Sequence, residues 1–186
     1  MKTLRSEGTF SERPYYTDEE IELIAEQELR CVELYPNCPE PVRIERFVEK
    51  RFGITPEYDT LPANVLGYTR FSRTGVERIV VARELANEQT RVAERRITTT
   101  LGHEAGHGLL HMHLFALDCF NRSLFGEDQD IQPGRVLCRD DAMDGPAKGN
   151  RSYDGRWWEF QANRLMGALL LPRKLVGEAV TPWLVK

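Results

Sequence analysis

The chain has 186 residues, of which 41% are hydrophobic and 29% charged, which suits one domain with a real core. A formal net charge of −4 argues against a nucleic-acid binder, which usually carries a basic excess or a basic stripe. The longest apolar run, LMGALLL over 165–171, is far too short to cross a bilayer, and MKTLRSEGTFSERP at the start holds no apolar signal core, so a cytoplasmic protein is expected.

Residues 1–16 read as a loose polar arm. Thr17 with Glu20 three residues later forms a capping box, which opens an amphipathic helix to about Tyr35. The run PNCPEP breaks it. A second helix should start near Pro41, a proline tolerated in a first turn, and stop at Gly53. Residues 54–87 read as strand and turn, with NVLGYTRFS and VERIVVARE joined across RTG as a hairpin. A long helical segment covers roughly 89–114. Its basic cluster, Arg91, Arg95 and Arg96, reads as a solvated helix face. Residues 116–152 are polar and rich in Gly, Asp and Asn, a connection long enough to suggest a functional or mobile segment. A last helix spans about 155–171. It is apolar almost all round, so burial is expected, and Pro172 ends it.

All four histidines, His103, His107, His111 and His113, fall within eleven residues of the long helix. HEAGH at 103–107 matches H-E-x-x-H. Residues i and i+4 share a helix face, so the two imidazoles of His103 and His107 can converge on one Zn²⁺. Glu104 beside the first ligand can take a proton from water that the metal acidifies. The motif is short enough to arise by chance, so context must decide.

A catalytic zinc needs a third protein ligand. His113 occupies the last position of the pattern H-E-x-x-H-x-x-G-x-x-H, and Met143 invites comparison with a Met-turn. But Leu110 stands where the glycine should let the chain leave the helix. If the helix continues, His113 lies about 240° round from His107 and points away. Glu159, between Trp158 and Phe160, is the other candidate. A carboxylate in so apolar a helix needs a partner. Asn163, four residues on, shares its face and can fix a ligand imidazole by accepting its second N–H.

His111 lies about 40° round from His107, close enough to assist the site or donate to a transition-state oxyanion. Tyr153, just before the last helix, is another oxyanion candidate by position. The four cysteines, Cys31, Cys38, Cys119 and Cys138, contain no C-x-x-C pair and read as free thiols, mostly buried. A second zinc between Cys119 and Cys138 matches no short-knuckle spacing. CRDDAMDG at 138–145 lacks the alternation that calcium requires and reads as a solvated loop.

HEAGHGLLH followed by EFQANRLMGALLLP resembles the ImmA/IrrE family of zinc-dependent metallopeptidases, over about residues 40–175. That family pairs H-E-x-x-H with a downstream E-x-x-A-N/D-x-F-A-x-x-L-L-x-P. Leu165 and Met166 stand near its usual Phe-Ala. The resemblance implies an α+β fold, with a small β-sheet or hairpin on a helical core that carries the H-E-x-x-H helix and a buried third-ligand helix. Residues 1–40 would be an arm and helix, and 41–186 the metallopeptidase domain, in one compact unit. It implies His103, His107 and Glu159 as ligands of one Zn²⁺ and Glu104 as general base. It further implies a protein substrate, a helix-turn-helix repressor; the net charge and the lack of a helix-turn-helix pattern in the N-terminal helices argue against DNA binding by this chain itself. The rival expectations are a metal-containing module that holds a partner without cutting it, and a toxin–antitoxin component.

Overall fold

A computed structural model describes residues 2–5, 12–114, 135–139 and 157–184. The molecule is α+β, a small sheet on a helical core. In place of a loose arm, the N-terminus forms a two-stranded antiparallel hairpin, β1 (Lys2–Arg5) and β2 (Glu12–Tyr15). Pro14 in β2 has no N–H to give, yet its carbonyl accepts from a side chain of a distant helix.

Helix α1 (Asp18–Cys31) starts at the expected capping box: Glu20 N–H donates to Thr17 Oγ1, and Thr17 N–H to Glu20 Oε2. It stops four residues short of Tyr35, because Glu33 takes a left-handed conformation and Leu34 N–H closes back on the Leu29 carbonyl. Helix α2 (Ile44–Phe52) starts three residues beyond Pro41 and ends on Gly53, whose φ of 70° suits glycine.

The hairpin of β4 (Val65–Ser72) and β5 (Gly75–Ala82) lies where the sequence places it. It is the centre of a four-stranded sheet ordered β3-β5-β4-β6. Strand β3 (Glu57–Asp59) runs parallel to β5, and β6 (Arg135–Arg139) antiparallel to β4. The polar connection 116–152 therefore contributes a strand to the sheet. The second expected β-rich run, VERIVVARE, ends as strand at Ala82, and the rest of the segment read as strand and turn folds into a short helix, α3 (Arg83–Asn87).

Helix α4 (Arg91–Leu110) is capped by Thr90, whose side chain accepts from Ala93 N–H. Its first turns are exposed at Arg91 and Arg95, as a solvated basic face would be. The second half is buried from Thr100 to Gly108. Helix α5 (Trp157–Leu170) packs across it, and α6 (Arg173–Leu184) follows Pro172. Helix α5 is not buried all round. Phe160 is exposed, with the Arg164 guanidinium over its ring and paired with Asp18.

One apolar core joins these elements: Ile21, Ala25 and Leu29 of α1, Phe47 and Val48 of α2, Ile79 and Val81 of β5, and Leu165 and Leu169 of α5. Among the described residues, no helix is long and apolar enough to cross a membrane. Cys31 and Cys38 are free, as expected of thiols, but exposed, because both lie at or beyond the end of α1 on the surface. Cys138 lies in β6. Cys119 and the loop outside 135–139 fall outside the described residues.

Candidate metal centre

Two glycines on α4 let α5 approach. Gly106 lies so close that an added Cβ would stand 2.9 Å from the Ala162 carbonyl oxygen and 3.1 Å from its Cα. One turn earlier, Gly102 faces Met166, where a Cβ would meet the side chain at 3.0 Å. Removing side chains at i and i+4 clears a strip along α4, so the backbones pack nearly atom to atom. His103 and His107, each next to one of these glycines, are thereby brought against Glu159.

Three side-chain atoms converge there. His103 Nε2 lies 3.1 Å from Glu159 Oε2 and 3.0 Å from His107 Nε2, and His107 Nε2 lies 3.5 Å from the same carboxylate oxygen. Both histidines are fully buried, and the Glu159 side chain is only 13% exposed. Three ligands at about 2.0–2.1 Å from a tetrahedral zinc stand about 3.3–3.4 Å from one another. The observed separations match that spacing, and the donor set of two imidazoles and one carboxylate is one zinc accepts. Among the described residues, these three form the cluster able to hold a metal. His113 is outside it and exposed.

The outer atoms are engaged too. His103 Nδ1 lies 2.8 Å from Asn163 Oδ1. An amide oxygen only accepts, so the proton sits on Nδ1 and Nε2 presents its lone pair inward. Burial lowers the pKa of His107 despite the neighbouring Glu159 carboxylate, and so favours the neutral imidazole. Burial works the other way on Glu159, but the neighbouring imidazoles, His107 foremost and then His103, outweigh it and hold the carboxyl well below its usual range. Neutral imidazoles and an ionised carboxylate are the states in which these groups bind metal.

Glu104, completely buried, is tied to the sheet. Thr69 Oγ1 of β4 donates to Glu104 Oε2 at 2.6 Å and lies 3.2 Å from the Glu104 backbone oxygen. Gly67, two residues earlier on the same face, leaves room beside the carboxylate. A Cβ there would stand 3.5 Å from Glu104 Oε1 and only 2.6 Å from Thr100 Cγ2.

His111 is also completely buried. Its Nδ1 lies 3.1 Å from His107 Nδ1 and its Nε2 3.0 Å from Gln161 Oε1. Its ring meets Trp157 edge to face at 5.7 Å. Both nitrogens are thus occupied, which leaves no N–H for an oxyanion. Gln161 in turn donates from Nε2 to the Pro14 carbonyl at 2.7 Å. Neither Gln161 nor Thr69 was legible in the sequence. Tyr153 lies outside the described residues.

The chain matches no family model, no curated protein and no solved structure.

Proposed function

We propose that this chain is a zinc-dependent peptidase of the ImmA/IrrE type that cleaves one protein, a transcriptional repressor. The observation that carries the reading is the convergence of His103 Nε2, His107 Nε2 and a Glu159 oxygen, buried and 3.0–3.5 Å apart. These residues would hold the ion, which when bound polarises the scissile carbonyl and acidifies water. Glu104 is the base: its carboxylate takes a proton from the attacking water and passes it to the leaving amide nitrogen. Thr69 keeps that carboxylate in one place, because a donated hydroxyl bond at 2.6 Å restricts its rotation. Asn163 holds the His103 ring and its tautomer. The choice of a repressor rests on the resemblance of HEAGHGLLH and EFQANRLMGALLLP to that family.

The test is hydrolysis of a peptide library by the zinc-loaded protein, read by mass spectrometry beside Glu104→Gln. The variant should bind zinc as before and lose about 10²–10⁴ in rate. Equal cleavage by both proteins would remove Glu104 from the mechanism. No cleavage by either, with an uncut partner retained by the unmutated protein, would favour the holding module.

A further inference from the structure

We propose that α6 is the contact of a two-fold dimer of this chain: two copies of the helix pair antiparallel about Val180, and each Trp183 packs over the partner's Gly177. This contact is independent of any metal.

Helix α6 is held to the body near its start. Of residues 173–184, Leu175 alone is buried, and the Arg173 N–H donates to Glu22 Oε2 of α1 at 3.2 Å. A helix of 12 residues is marginal in water by itself, and Gly177 and Pro182 weaken it further. Yet Val176, Val180, Trp183 and Leu184 recur at helical spacing within about 100° of arc, centred about 130° round from Leu175. They are 39%, 42%, 81% and 76% exposed. An apolar stripe on the solvent side of a helix, ending in an indole, has the composition of a contact surface.

The stripe is complementary to itself. A two-fold axis beside Val180 sets residues equally distant from it opposite each other. Val180 then meets Val180 of the partner subunit, and Leu184 meets the partner's Val176. Trp183, the largest side chain, meets the partner's Gly177, the smallest. The place a Cβ would take at Gly177 is open, with nothing within 4 Å, so the indole has a notch to enter. The charges select the same direction. The first turn of α6 carries Arg173 and Lys174 and no acid, and its last turn carries no base. Two cations oppose the dipole at their own helix N-terminus, but they stabilise a C-terminus, which the antiparallel partner brings beside them. A parallel pair would set cation against cation. The four apolar side chains expose about 500 Å² per chain, so two copies bury on the order of 1,000 Å². That reaches the lower bound of a specific interface and places the dimer in the weak, reversible class.

The test is sedimentation velocity on the full chain from about 1 to 200 μM, the span in which a weak dimer of this size forms. The unmutated protein should rise from 21.4 kDa toward twice that mass and no further. Trp183→Ala should weaken the dimer about tenfold or more. Gly177→Gln should abolish it by filling the notch. It meets no neighbour within the monomer and replaces glycine with a better helix former, so its melting temperature should hold or rise. Loss of the dimer in a variant that folds as well as the original separates the contact from mere helix stability. A mass of 21.4 kDa at every concentration would overturn the proposal. So would growth beyond a dimer, or a dimer that either variant leaves intact. A monomer whose Trp183 face instead captures a different protein would overturn it as well.

Discussion

His111 and His107 are buried bases held neutral, and this makes the metal-free protein acid-sensitive in a defined window. Their pKa values fall below the ordinary 6.5, chiefly through burial, so the unfolded chain binds more protons than the native one as pH drops through that value. Their contribution to stability is fully present above about pH 6.5 and is lost as pH falls through it toward the lower native values. Among the described residues, the groups that face these rings, His103, Glu159, Gln161 and Trp157, include a single carboxylate, Glu159, and it stays ionised throughout this window. Melting temperature in the presence of a chelator should therefore fall between pH 7.5 and 5.5, where ordinary carboxylates remain charged. A flat profile would mean that the rings are not held neutral. At this scale the sequence was informative where partners are local. His103, Glu104 and His107 follow from one turn of helix, and Asn163 follows from Glu159 in the same way. Gln161 did not, because it lies about 200° round α5 from Glu159, and face-by-face reasoning sends it elsewhere. Only the position of His111, one turn beyond His107, brings a partner to that side. Thr69 was hidden for a similar reason: it is 35 residues from Glu104, and only the packing of β4 on α4 joins them.

Elements meet at this site through missing side chains. Gly106→Ala would gain about 1 kcal/mol of helix propensity. It would also drive a Cβ to 2.9 Å from the Ala162 backbone oxygen, and overpacking typically costs about 1–3 kcal/mol. A backbone cannot step aside as a side chain can, so the cost should lie in the upper part of that range and leave the variant net destabilised by up to about 2 kcal/mol, with weaker zinc binding as α5 is displaced. Gly102→Ala meets the flexible Met166 side chain instead and should melt at or above the unmutated protein. Thermal melts of the pair check this, and an equal fall in both would refute the close approach at Gly106 as the sensitive one. The long elements were legible because their periodicity is long: α1, α2, α4, α5 and the β4–β5 hairpin stand within a few residues of expectation. Three short elements were not. Strand β3 has three residues, α3 is one turn, and β6 sits inside a stretch whose composition reads as loop. Each is specified by the sheet edge or helix it joins, not by its own pattern.

At the scale of the whole molecule, the N-terminal hairpin and α1 belong to the same packed unit as the helices of the site. Ile21, Ala25 and Leu29 share the core with Leu165 and Leu169, and Pro14 reaches Gln161. The loose arm expected from the polar start is therefore replaced by a structure that touches the machinery. Polar residues in a strand give no amphipathic signal, so only the tertiary contact reveals it. What this architecture achieves is convergence, with α4, α5 and β4 each supplying one part of a buried centre. The most direct measurement is zinc per chain in the unmutated protein, Glu159→Ala and His113→Ala. The account predicts one zinc in the unmutated protein and in His113→Ala, and almost none in Glu159→Ala. Zinc retained by Glu159→Ala and lost from His113→Ala, or no uptake by the unmutated chain, would contradict it.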